Sequence, residues 1–358
     1  MKRVWRFFRN KPLNLLLFTL PLVLLAQLGG WGPVWIFALS TVGIIPLAGL
    51  IGEATEALSA YTGPKIGGLL NATLGNAAEL IITLVAVRAG LLDLVKASIT
   101  GSILGNLLLV MGLSMVMGGV KNGIQRFDRR QAGNNAILLT LVVIAMVIPS
   151  VFSHSIGSEL SVGVESLSLG VAGVMIVLYV LGLIYSLRAQ NSPLSYETEE
   201  IHRPELSKAT ALVILALATL GVVWLSESLV GEVEAVVKGL GLSEFFLGII
   251  LIPIIGNVAE HLVAVQVAIR NKMDLSIEIA ISSSLQIALF VAPLLVFVSL
   301  LLGHPLTLVF NQYELLALGA AALVAALVSS DGESNWLEGA ALLAVYVILG
   351  IGFFLLPA

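Results

Sequence analysis

Of the 358 residues, 58% are hydrophobic and 11% are charged, against roughly 25% charged in an ordinary soluble domain. A water-soluble core cannot hide so much apolar surface, so lipid must cover it, and the chain reads as a polytopic all-α membrane protein. Cysteine is absent, which excludes disulfides, thiol catalysis and thiolate metal sites; the formal net charge of −4 says less than where the charges fall.

In chain order, apolar runs cover 12–28, 33–52, 65–88, 94–118, 133–152, 162–187, 208–230, 244–269, 275–302, 312–329 and 336–356. Each is near the roughly 20 residues that cross a hydrocarbon core. The alternating polarity of a transmembrane barrel is missing, so eleven transmembrane helices are predicted. The first run follows "MKRVWRFFRNK" and is read as a retained extra helix rather than a signal peptide. With the N-terminus in the cytoplasm, threading leaves only Arg88, Lys96 and Lys238 of the 18 Lys and Arg on the opposite side. This satisfies the positive-inside rule and puts the C-terminus on that opposite side.

The third run carries "GNAAEL" at 75–80, and the eighth carries "GNVAEH" at 256–261. The likeness extends outwards: "VRAGLLDL" (87–94) echoes "IRNKMDL" (269–275), "GSILGNLLLV" (101–110) echoes "SSSLQIALFV" (282–291), and "ATEAL" (54–58) echoes "LSESL" (225–229). Two five-helix halves emerge. Five is odd, so the halves must be inverted relative to each other, an architecture that places a substrate site between the repeats near the midplane. The domains are thus an extra helix (1–30), a first repeat (31–187), a linker (188–207) and a second repeat (208–358). The linker carries Glu197, Glu199, Glu200 and Glu205 and reads either as a solvated loop or as a cation-attracting segment.

Glu79 and Glu260 fall near mid-bilayer on antiparallel helices. An ionisable group at that depth marks an ion or proton path more often than a structural contact. Gly75 and Gly256 weaken their helices and allow a break, to which Pro253 adds by lacking an amide hydrogen. Carboxylates, amide oxygens and freed carbonyls are hard ligands that suit Ca²⁺. Asn76 and Asn257 either bind the ion or cap a resumed half-helix. Ser102 and Asn106 in one half, and Ser283, Ser284 and Gln286 in the other, add oxygens. Two carboxylates are neutralised by one divalent cation or by two protons, which is the logic of an exchanger.

These motifs closely resemble the paired repeats of the cation/proton exchanger family of Ca²⁺/H⁺ antiporters, within the cation/Ca²⁺ exchanger superfamily, over nearly the whole chain. The resemblance implies that Glu79 and Glu260 bind Ca²⁺ and protons in alternation, and that Asn76, Asn257, Asn106 and Gln286 assist. It also implies that His261 occupies the position where the family has a histidine. It implicates Gly52 and Gly231 in sliding of the first and sixth repeat helices, and its acidic linker helix is shortened here. Glu56 and Glu227 are candidate vestibule acids at the cytoplasmic and outer entrances. The expected partners are Ca²⁺, protons and lipid, with no cofactor and no nucleic acid. The alternative is a Na⁺-coupled Ca²⁺ exchanger of the same architecture; those relatives carry an additional acid where this chain has Gln286. An intramembrane enzyme is disfavoured, because there is no HExxH and because the adjacent Glu260 and His261 point about 100° apart on a helix.

Overall fold

The computed structural model describes residues 11–159, 161–188 and 206–357. The acidic residues of the linker and the basic residues Lys2, Arg3, Arg6 and Arg9 lie outside this set. The described chain is helical apart from a short ribbon. α1 is Pro12–Leu28 and begins as a 3₁₀ turn. There follow α2 (Pro33–Leu74), α3 (Ala77–Arg88), α4 (Leu92–Asn122), α5 (Arg129–Ile156), α6 (Val162–Arg188), α7 (Lys208–Gly231) and the short α8 (Val233–Leu240). The chain continues through α9 (Glu244–Ile269), α10 (Met273–Leu302), α11 (Gln312–Val328) and α12 (Trp336–Phe354). Among the described residues, eight helices are long and apolar enough to cross a membrane, while α1 and α11 are shorter apolar helices. This is an integral multi-pass membrane protein.

The expected runs 33–52 and 65–88 take a different form. Helix α2 continues to Leu74, but it is not straight: the Ser59 hydroxyl donates to the Gly67 carbonyl at 3.0 Å. Residues eight apart on a straight helix stand about 12 Å apart, so the helix bends sharply between them. Pro64 lies in the bend and cannot donate an amide hydrogen. A methyl group on Gly67 would lie 2.7 Å from the Ser59 carbonyl oxygen, so glycine is required there.

α4 and α10 form the centre. Every residue from Leu94 to Leu104 is buried, and Ile279 to Gln286 are likewise enclosed. Both segments carry buried polar side chains among apolar ones, Ser98, Thr100 and Ser102 in α4 and Ser282, Ser283, Ser284 and Gln286 in α10, whereas α6 and α7 expose Val174, Leu217 and Leu220 as a lipid-facing surface would. Glycines let the helices meet closely. Gly43 of α2 faces Leu225 of α7, and Gly221 of α7 faces Leu47 of α2, so α2 and α7 run side by side. Gly101 of α4 lies against the Ile249 carbonyl and Pro253 of α9. The N-termini of α11 and α12 are closed by capping boxes, Asn311 with Glu314 and Asn335 with Glu338.

Two polar clamps join the halves at opposite ends of α4. At its C-terminal end, strands β1 (Gln125–Arg126) and β2 (Glu333–Ser334) pair antiparallel. Gln125 also donates to the Ala268 carbonyl and to Asn271, and the Asp128 amide donates to Asp274. At the N-terminal end, Lys96 pairs with Glu159, which also accepts from Thr307 at 2.6 Å.

Candidate functional site

The site grows from the two motif glycines. In the first half the chain breaks at Gly75 and Asn76, and α3 resumes with Glu79 in its first turn. Asn76 does not cap that helix. Its Nδ2 donates to Gln286 Oε1 at 2.8 Å, and its Oδ1 accepts from the Ser283 hydroxyl at 3.0 Å. Both partners sit on α10. The open choice between ligand and cap is therefore decided against capping, and Asn76 cross-links the two halves.

The second half behaves differently. α9 runs unbroken through Gly256, and its irregularity is a π-helical stretch earlier, at Leu247–Leu251. The expected break at Gly256 is thus corrected. Pro253 has no amide hydrogen for the Ile249 carbonyl four residues back, so the disturbance falls before the proline rather than after it. Asn257 stays inside the helix, donates to the Pro253 carbonyl at 3.2 Å, and leaves its Oδ1 without a partner.

Across the interface the two acids meet. A methyl group on Gly256 would lie 2.9 Å from Glu79 Cγ, and one on Gly75 would lie 3.4 Å from Glu260 Oε1. Each carboxylate therefore rests on the glycine of the opposite motif, and the two are near enough for their charges to interact. The Asn257 amide lies beside Glu79, and the Ser283 hydroxyl lies beside Glu260. Glu79 is 3% exposed, whereas Glu260 is half-buried with its Oε2 enclosed. Among the described residues, Glu79 Oε1, Glu260 Oε2 and Asn257 Oδ1 accept no hydrogen bond. Buried acceptors without donors are costly, and an oxygen-only cluster of this kind has the donor chemistry of a hard cation site.

The remaining predicted residues divide. Asn106 is buried, and its Oδ1 lies 3.2 Å from Nε2 of the buried His261. Ser102 is buried one turn before it on α4. π-Helical turns occur at Gly105–Val110 in α4 and at Ile287–Val291 in α10, matching positions of the sequence echo. Such turns concentrate at functional sites. Glu56 and Glu227 do not join the cluster. Glu56 is exposed, and Glu227 lies 3.6 Å from Arg88 with both side chains largely in the open.

Sequence reasoning passed over a second polar centre. Glu314 is buried, accepts from the Asn311 amide at 2.8 Å, and lies 3.3 Å from Thr100 on α4. Nearby are the buried Lys96 and its partner Glu159. The signals were present in Asn311-x-x-Glu314, a capping-box spacing, and in a lysine within an apolar run. Partial burial alone raises the Glu159 carboxyl, but the Lys96 and Thr307 hydrogen bonds and the Lys96 charge outweigh it and hold the group below its ordinary value. A lowered pKa gives stability that is present above the unfolded value and lost as pH falls through the folded one. Glu159→Gln is therefore expected to lower the thermal midpoint of the detergent-solubilised protein at pH 7. The gap from wild type should narrow as pH falls below the ordinary carboxylate range and through the lowered value of Glu159, and a pH-independent gap would contradict this.

The sodium/calcium exchanger protein family matches residues 32–188 and 210–355. The chain is 47% identical over 341 residues to the Ca²⁺/H⁺ antiporter ChaA of Bacillus subtilis, covering 94% of this chain and 96% of the relative. It is 44% identical over 366 residues to the Ca²⁺/H⁺ antiporter of Aphanothece halophytica, covering 96% of each. The solved structure of native YfkE superposes with a TM-score of 0.85 at 44% identity, over 96% of this chain and 100% of that one. The family resemblance read from the paired motifs is borne out, and the chain belongs to the sodium/calcium exchanger protein family.

Proposed function

We propose that the protein is a secondary active antiporter that exports cytosolic Ca²⁺ in exchange for H⁺. In this reading eleven helices cross the membrane, the segments 31–187 and 208–358 form inverted repeats, and the N-terminus is cytoplasmic. Glu79 and Glu260 hold either one Ca²⁺ or protons, and the transporter changes its facing only when the pair is neutralised. The observation that carries the proposal is the reciprocal seating of the two acids on the opposite motif's glycine. The names of the relatives, Ca²⁺/H⁺ antiporters, support the choice of ions.

Inside-out vesicles with separately imposed gradients test the choice of counter-ion. Ca²⁺ uptake should follow a pH gradient at fixed Na⁺. Uptake that follows Na⁺ and ignores pH would favour the Na⁺-coupled alternative, which Gln286 in place of an acid argues against.

A further inference from the structure

Each motif glycine precedes its glutamate by four residues; on α9 this puts Gly256 and Glu260 about one turn apart on one face, whereas Gly75 stands at the break just before the helix that carries Glu79. Both glycines seat the opposite half's acid. Glu79 of α3 lies on α9 at Gly256, where a methyl group would stand 2.9 Å from its Cγ, 3.1 Å from its Cδ and 3.2 Å from its Oε1. Glu260, one turn along α9, reaches back to Gly75, where a methyl group would stand 3.4 Å from its Oε1 and 3.8 Å from Gln286 Oε1. Side-chain carbons almost never approach within 3.0 Å, so only a bare backbone at 256 lets Glu79 lie where it does.

The two seats act differently. At Gly75 the new methyl would also meet the Asn71 carbonyl at 2.7 Å, so this glycine serves its own bend as well as Glu260. At Gly256 the three nearest atoms all belong to Glu79, within an unbroken helix. Gly256 is thus the position at which the seat can be altered alone.

We propose that Gly256, with Gly75 opposite it, sets the ion-size selectivity of the site by fixing how closely the two carboxylates approach. Ca²⁺–oxygen distances of 2.3–2.6 Å place opposed ligand oxygens about 4.6–5.2 Å apart, and Mg²⁺ requires about 4.2 Å or less. A methyl group at 256 pushes Glu79 away from the helix that carries Glu260, which widens the gap and favours larger cations. This rests on the antiporter reading above, since it assigns a role within the same site.

The test compares Gly256→Ala, Glu79→Asp and the double variant Gly256→Ala/Glu79→Asp. The shorter acid removes one methylene where the glycine gained one. In vesicles driven by a pH gradient, with Mn²⁺, Sr²⁺ and Ba²⁺ as competitors, Gly256→Ala should raise KM for Ca²⁺ about tenfold or more. It should also make Sr²⁺ a relatively better competitor. The double variant should recover most of the Ca²⁺ affinity and the wild-type cation order. Gly256→Ala with unchanged KM and order overturns the proposal, as does a double variant no better than the product of its two single changes. If Gly256→Ala alone yields no folded protein, recovery of folding by Glu79→Asp supports the seat and failure to recover overturns it. Wild-type vesicles that carry no Ca²⁺ would refute the antiporter reading instead, and the folding rescue still reports on the contact.

Discussion

Glu79→Gln, and separately Glu260→Gln, is expected to abolish pH-gradient-driven Ca²⁺ uptake while leaving a folded protein. The substitution keeps shape and volume and removes one charge. A site of formal charge −2 can be neutralised by one divalent cation; a site of −1 cannot, and it also loses an exchangeable proton position. With Ca²⁺ bound, either variant leaves one uncompensated positive charge in a buried site, and an uncompensated buried charge costs about 3–5 kcal/mol, which is roughly 10²–10³-fold or more in affinity. Glu79→Gln should be the cleaner case, because Glu79 is almost wholly enclosed whereas Glu260 is half-buried. Uptake by reconstituted vesicles, with gel filtration and a thermal midpoint as folding controls, measures both. Near-normal uptake by either variant would remove that carboxylate from the mechanism.

The largest expected effect on stability lies away from the acids. A methyl group on Gly101 would stand 2.0 Å from the Ile249 carbonyl oxygen and 2.7 Å from Pro253 Cγ. The obstacle is backbone and a proline ring, and neither can rotate aside. α4 and α9 would have to separate, and with them the elements that carry Asn106 and Glu260. Overpacking of a filled interior costs about 1–3 kcal/mol, and more where nothing can move. Gly101→Ala is therefore expected at or beyond the upper end, with a sharply lowered thermal midpoint and low yield. Gly173→Ala is the control: nothing lies within 4 Å of its added methyl, and alanine favours a helix interior by up to about 1 kcal/mol. Equal behaviour of the two variants would show that the α4–α9 contact is not tight.

Much of this was legible in the chain itself. Long apolar runs reported the helices because lipid demands continuous apolar length. The paired Gly-Asn-x-x-Glu motifs reported the acids because nothing else explains the same polar residues twice in apolar helices. Local backbone detail was less legible. Gly75 with Asn76 and Gly256 with Asn257 look alike in sequence, yet only the first pair breaks its helix, because the Pro253 disturbance is taken up in an earlier π-helical stretch. The bend between Ser59 and Gly67 depends on a contact across eight residues, which periodicity does not report. Glu56 and Glu227 share an echo with the repeat, but an echo carries no side-chain direction, and the structure leaves Glu56 exposed and puts Glu227 beside Arg88. Glu314 was hidden by its position at a helix start, where a glutamate is ordinary.

The most direct measurement is the number of Ca²⁺ ions bound per chain, by equilibrium titration of the purified protein at neutral pH. If Glu79 and Glu260 form one shared site, the wild type binds a single Ca²⁺ there, and either glutamine variant alone removes it. If each variant retains its own binding and only the double variant loses all of it, the acids serve separate sites, and the shared-site mechanism is wrong.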